Sequence, residues 1–423
     1  MMRRLKRSRL FLFLAVMGPG LITSAADNDA GGIITYIQTG AKHRYDLLWV
    51  IFLLTIVLAM IQEMCARMGC VTQKGLGELI RENFGVKWTM FALGTLLVAN
   101  LATTVAEFAG IAAAMEIFGV PRLISIPIAA VAIWLLVVKG TFGVVEKVFI
   151  AISALYITYV ASGLLAHPNW GEILSNTFCP RFETVQQPGS LVPFLFLTIA
   201  VIGTTITPWM QFFLQASVVD KGVSIRNYKY QKWDVYVGSV LTDLVSFFVI
   251  VAGAAMIYNA VGRPVEIHDA VEAAQALKPV AGNFAAYLFA TGLLGASMLA
   301  AAVLPLSTAY TYSEAFGWEI GISRKFSEAP VFYGIYTFCI IFGGLAVLLQ
   351  GNLVDAMIRA QAVNGILLPV ILIFMLKLVN NKEVMGKYVN NKVYNAAVWF
   401  MTIFLIILTV VWLVGLCFGL GGV

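Results

Sequence analysis

The chain has 423 residues, 60% of them hydrophobic and only 12% charged, with a mean hydropathy of +0.87. A soluble domain carries about 25% charged residues, so a chain of this make-up cannot sit mostly in water, and a string of soluble domains is excluded. One long membrane domain fits instead.

The opening MMRRLKRSRLFLFLAVMGPG has the basic start and apolar run of a signal peptide. No small-residue cleavage site follows it. Asp27 and Asp29 arrive instead, so the segment reads as a retained first span. Runs of about 20 apolar residues mark membrane helices. Eleven are expected, at roughly 10–40 (interrupted), 46–68, 88–118, 122–139, 143–166, 190–218 (interrupted), 234–260, 281–314, 328–350, 353–378 and 394–420. Loops 167–189 and 261–280 are the only sizeable connections, and no soluble domain is left over.

With the N-terminus in the cytoplasm, most of the 28 lysines and arginines fall on the inner side. They run from Arg3, Arg4 and Lys6 through Arg67, Lys74, Lys221 and Lys232 to Lys387 and Lys392. That asymmetry satisfies the positive-inside rule, and eleven spans put the C-terminus outside. The net charge of +6 therefore reports topology, not a nucleic-acid partner. The expected setting is a bacterial cytoplasmic membrane, with the lipid bilayer as the surrounding partner and no obligatory protein partner evident.

Five cysteines (Cys65, Cys70, Cys179, Cys339, Cys417) form no metal-ligand spacing, and Cys65 and Cys70, near a helix end, read as packing residues. His43, His167 and His268 are expected in connecting loops, with no cluster for zinc or a proton relay.

The chemistry concentrates in the first span, GPGLITSAADNDAGGIITYI. Charge within a span is costly and marks function by default. Asp27 and Asp29 flank Asn28, and Gly31 and Gly32 follow, where the backbone can leave helical geometry. A helix broken at mid-depth frees carbonyls and amides, tolerated only where they line a cavity. Carboxylates beside free carbonyls make an oxygen site for a hard cation. Asp29 is the better ligand and Asp27 a backing charge. The sixth span carries a matching break in VIGTTITPWMQFFLQ, where Gly203 and Pro208 bracket Thr204, Thr205, Ile206 and Thr207. Interrupted helices at spans one and six point to a midplane site in inverted-repeat transporters. Spans 1–5 (residues 1–166) and 6–10 (residues 190–378) would be the two repeats, with span 11 (394–420) appended. Glu63, Glu116, Asp234, Asp243, Glu314 and Asp355 are expected near span ends or paired within the bundle. Arg359 should pair with Asp355 one helical turn earlier.

These segments resemble the Nramp family of divalent metal transporters over most of the chain. GPG ends at Gly20, and the ninth residue onward is Asp29, where that family carries its metal-binding aspartate. CARMGCVTQKGLGELIREN, TTVAEFAGIAAAMEIFGVP, RAQAVNGILLP and MGKYVNNK look like further family segments. Gln361 stands eight residues before Pro369, as the family's metal-contacting glutamine does. The resemblance implies an all-α membrane protein of LeuT-like fold, with two inverted five-helix repeats and interrupted helices 1 and 6. It implies a transporter and not an enzyme, with the metal as cargo and no cofactor. The implied metal set is Asp29, Thr204, Thr207 and Gln361, with Asp27, Asn28 and Gly32 alongside.

The departures from the family pattern are as informative. A methionine of the sixth span falls on Thr207, and the asparagine ligand falls on Gly32. Sulfur favours soft transition metals, whereas Mg²⁺ binds through one or two carboxylates and keeps several waters. The family's proton path is altered too. Thr104 stands for an aspartate and Trp209 for a histidine, Glu107 is kept, and span nine has no arginine. This combination resembles the Nramp-related magnesium transporter branch, which implies Mg²⁺ and Mn²⁺ uptake without coupled protons. The alternatives are a proton-coupled Mn²⁺/Fe²⁺ transporter and, remotely, a membrane Mg²⁺-dependent prenyltransferase. The latter wants two aspartate motifs, and the chain has one. A sodium-coupled amino-acid transporter would want a neutral first break.

Overall fold

The computed structural model describes residues 18–139, 157–182, 184, 190–321 and 324–418. Among them, nine helical segments are long and apolar enough to cross a membrane. Two of the expected spans are not among these nine. The first is split into α1 (Pro19–Asp27) and α2 (Ala30–His43). The fifth is described only from α6 (Ile157–Leu165), because residues 143–156 lie outside the described set, as do 10–17 of the first span.

The remaining helices follow the hydropathy closely. They are α3 (Leu48–Thr72), α4 (Leu76–Ile117), α5 (Arg122–Lys139), α7 (Trp170–Phe178, a short helix in the connection before the second break), α8 (Leu191–Thr205) and α9 (Pro208–Asp220). Then come α10 (Tyr228–Gly253), α11 (Ala285–Phe316), α12 (Pro330–Leu348), α13 (Leu353–Asn380) and α14 (Lys392–Cys417). The third span starts earlier than its apolar run. α4 begins at Leu76, and Gly85, at φ 75°, bends the chain between a polar lead-in and the membrane segment. That φ favours glycine because a side chain would be strained there.

Burial separates core helices from lipid-facing ones. α4 lies at the centre, packed against α11 and α13, while α5 and α14 turn most of their surface outward. Leu123 is 71% and Phe400 70% exposed, as side chains facing acyl tails should be. Cys65, Cys70 and Cys339 are buried packing residues, while Cys179 and Cys417 are exposed.

Charged groups fix the ends of the spans. Arg67 pairs with Glu63 at 3.2 Å and donates to Tyr388 O at 2.7 Å, with a further bond to Asn390. This ties the end of α3 to the VNNK segment before α14. Asp234 of α10 accepts from Gly20 N at 2.7 Å and Gly18 N at 3.3 Å, satisfying amides that α1 leaves free at its N-terminus. Arg359 does meet Asp355, at 3.6 Å, but both side chains are largely exposed.

Two expectations are corrected. His43 is the last residue of α2 and not a loop residue; it is buried, with Nδ1 2.9 Å from Thr184 Oγ1. Asp243 lies mid-way along α10, and neither carboxylate oxygen has a hydrogen-bond partner among the described residues, so within these it is neither terminal nor paired.

Candidate metal site

The first break falls at Asn28–Asp29, two residues before the first of the glycines expected to cause it. Asn28 leaves α1 at ψ 55°, and Asp29 is extended at ψ 174° and caps α2. Its Oδ1 accepts from Gly32 N at 2.5 Å, the ordinary use of aspartate at a helix start. Gly31 and Gly32 are helical. They are small because neighbours approach closely: a Cβ on Gly31 would lie 2.2 Å from Gln361 Nε2, and one on Gly32 would lie 2.7 Å from Thr204 Oγ1. The second break falls at Ile206–Thr207, with Pro208 opening α9. Gly203 is again a contact position, since a Cβ there would meet Gln361 O at 2.1 Å.

Oxygen atoms converge between the breaks. Asp29 is 1% exposed, and Gln361 Nε2 donates to both of its carboxylate oxygens at 3.1 Å. Gln361 is held in turn, because Asn364 Nδ2 donates to its Oε1 at 2.8 Å and Asn364 bonds Thr103. The space over Gly32 is bounded by Thr204 Oγ1, Asp29 Oδ1 and the Asp27 carbonyl. Thr204 and Thr207 are fully buried, and neither hydroxyl oxygen has a hydrogen-bond partner among the described residues. The Thr207 hydroxyl is directed toward the Asp27 carboxyl without reaching normal hydrogen-bond geometry. Buried polar atoms of this kind are uncommon without a ligand. The set is carboxylate, hydroxyl, amide and carbonyl oxygen, suited to a hard divalent ion.

Not every sequence candidate joins this cluster. The Asn28 side chain turns to α10, where Nδ2 donates to Thr242 Oγ1 at 2.7 Å and Oδ1 meets Ser246 at 3.5 Å. Glu107 lies beside Asp29, accepts from Ala30 N at 3.2 Å, and keeps its other oxygen unpartnered. Thr104 is spent within α4, donating to Asn100 O at 2.7 Å, and packs so tightly on α12 that a Cβ on Gly343 would lie 2.6 Å from its methyl. Trp209 is 1% exposed and packs on Phe213, its carbonyl taking the Ser307 hydroxyl. Thr103 and Asn364 were missed as supports for Gln361. Both are polar residues inside apolar runs, the one signal that could have found them.

Two broken helices that meet around a buried ionic site are the arrangement of a LeuT-like transporter. The comparisons agree. A crystal structure of the Eremococcus coleocola manganese transporter with an aromatic bis-isothiourea compound superimposes with a TM-score of 0.76 at 21% identity, covering 96% of this chain and 87% of that one. MhsT in complex with L-phenylalanine shares the fold more distantly, with a TM-score of 0.59 at 14% identity over 96% of this chain and 98% of that one. Residues 20–415 match the family model "Nramp: Natural resistance-associated macrophage protein-like", and the chain belongs to that family. A Levilactobacillus brevis relative described as "Divalent metal cation transporter MntH" is 27% identical over 418 residues, 94% of this chain and 88% of the relative.

Proposed function

We propose that this chain, a divalent metal-cation transporter by family, takes up Mg²⁺, with Mn²⁺ as a second cargo, by alternating access and without coupled protons. The observation carrying this reading is the oxygen-only donor set, in which the unpartnered Thr204 hydroxyl meets Asp29 Oδ1 and the Asp27 carbonyl over Gly32 and the unpartnered Thr207 hydroxyl is directed toward the Asp27 carboxyl. Asp29 supplies the charge, Gln361 orients it, and Thr204 and Thr207 supply neutral oxygens. Where the family has a thioether and an amide, this chain has a hydroxyl and a hydrogen atom. The two missing side-chain donors leave coordination positions for water, which suits an ion that keeps part of its water shell, as Mg²⁺ does.

Absence of proton coupling is supported by Thr104, which is hydrogen-bonded to its own helix, by Trp209 packed in apolar surroundings, and by α12, whose sequence carries no charge. Glu107 beside Asp29 favours the second reading, a proton-coupled transition-metal transporter of Mn²⁺ or Fe²⁺. The N-terminus is placed inside and the C-terminus outside, with repeats over 1–166 and 190–378. Proteoliposomes loaded with a pH dye and offered Mg²⁺, Mn²⁺ or Ca²⁺ separate the readings. Mg²⁺ and Mn²⁺ entry that rises with inside-negative voltage and leaves internal pH at the leak rate supports the proposal. Metal-dependent acidification supports the second reading.

A further inference from the structure

The contacts that pull Asn28 out of the Asp29 cluster also bring a fourth buried carboxylate to the break. Thr242 of α10 accepts from Asn28 and donates to Ser24 O at 2.8 Å, so α10 is docked along the end of α1. The next residue, Asp243, is thereby held within electrostatic range of Asp27, and both are at most 3% exposed. Three of their four carboxylate oxygens, Asp27 Oδ1 and Asp243 Oδ1 and Oδ2, have no hydrogen-bond partner among the described residues.

The surrounding hydroxyls do not relieve them. Thr55 faces Asp243 but gives its proton to Ile51 O at 2.9 Å. Thr205 gives its proton to Val201 O at 2.8 Å, which leaves Tyr36 to donate to Thr205 at 2.9 Å and to present a lone pair. Thr207 Oγ1, fully buried and unpartnered, points into the same space. Among the described residues, the charged groups acting on Asp27 are Asp243 and Asp29, and no lysine, arginine or histidine acts on Asp27 or Asp243. Buried charge of one sign must be paired, bound to a metal or neutralised by a proton, and one divalent ion at Asp29 balances no more than Asp29 and Glu107.

We infer that Asp27, Asp243 and the Thr207 hydroxyl form a second hard-cation subsite, adjoining the Asp29 site and taking an ion of the same class as the cargo. This rests on the cargo reading above, with Thr207 shared between the two positions. The donors are again oxygen only, which suits Mg²⁺ or Mn²⁺. Transport would then pass through a doubly loaded state in which the ions repel, easing release of the first.

The test uses the full chain in detergent with Mn²⁺ as the sole divalent ion, counting bound ions by equilibrium dialysis and reading spin–spin broadening by electron paramagnetic resonance. Two ions per chain with a broadened spectrum are expected for the parent and for Asp243→Glu. One ion with a narrow spectrum is expected for Asp243→Asn and for Asp29→Asn. If the parent binds a single ion and Asp243→Asn binds it with an unchanged spectrum, the subsite is refuted and the carboxyl pair holds a proton instead. If the parent binds none, the cargo reading fails as well, and the two failures are thereby told apart. Asp243→Glu guards against a folding defect: two ions there and one in Asp243→Asn trace the loss to the charge, and one ion in both refutes the subsite.

Discussion

Replacing Asp29 by asparagine removes one charge while keeping shape, so it isolates electrostatics from packing. Two unit charges about 4 Å apart interact by about 4 kcal/mol at an effective dielectric of about 20, so a divalent ion gains about 8 kcal/mol from one carboxylate at that distance. If the amide dipole and an easier dehydration offset about half, about 4 kcal/mol is lost, roughly a thousandfold in site occupancy. The hydrogen bonds add to this. Gln361 Nε2 donates to both Asp29 oxygens at 3.1 Å, so the new amide nitrogen would face it donor to donor. Gln361 cannot simply turn over, because Asn364 Nδ2 donates to its Oε1 at 2.8 Å. The Gly32 amide still finds an acceptor, so α2 keeps its cap and the fold should survive. Mg²⁺ uptake into proteoliposomes should therefore fall below about 1% of the parent at an unchanged gel-filtration profile. Uptake within twofold of the parent would refute the reasoning.

Gly31→Ala should drive Gln361 off Asp29, since the added Cβ would sit 2.2 Å from Nε2; overpacking costs typically about 1–3 kcal/mol, and a right-shifted Mg²⁺ uptake curve with a lowered Tm is expected. Thr207→Met restores a soft donor and fills space, so the Mg²⁺ to Mn²⁺ uptake ratio should fall, and a ratio that holds or rises contradicts the oxygen-for-sulfur account. Asp234→Ala removes the acceptor of the Gly18 and Gly20 amides; a loss of about 1 kcal/mol, typical of a missing helix cap, should appear as a lower Tm and faster amide exchange at the start of α1. Voltage should accelerate uptake, each elementary charge moved being worth about 2.3 kcal/mol per 100 mV, and electroneutral flux would count against uncoupled transport.

Much of the protein was legible in one dimension, because a bilayer imposes one-dimensional rules. Span positions follow from the length of apolar runs, and the broken helices follow from Asp27, Asp29 and Pro208 standing where a continuous span tolerates neither charge nor proline. Asp29 and Gln361 were singled out through the family motifs, and the structure brings the two into contact across 332 positions. The family itself was readable for the same reason, since its motifs are local.

What the amino acids in order could not convey is which side of each residue faces which neighbour. Gly31 and Gly32 read as hinge glycines, yet both are helical and serve the close approach of Gln361 and Thr204. Asn28 sits between two aspartates in sequence, but its side chain belongs to α10. Asp243 looked like one more charge to be paired, and only the docking of Thr242 on Ser24 places it beside Asp27. In a helix, residues one apart point about 100° away from each other, so adjacency in sequence says little about convergence. Close approach between helices far apart in the chain is settled by packing, and it is that packing which gathers four buried carboxylates around one pair of breaks.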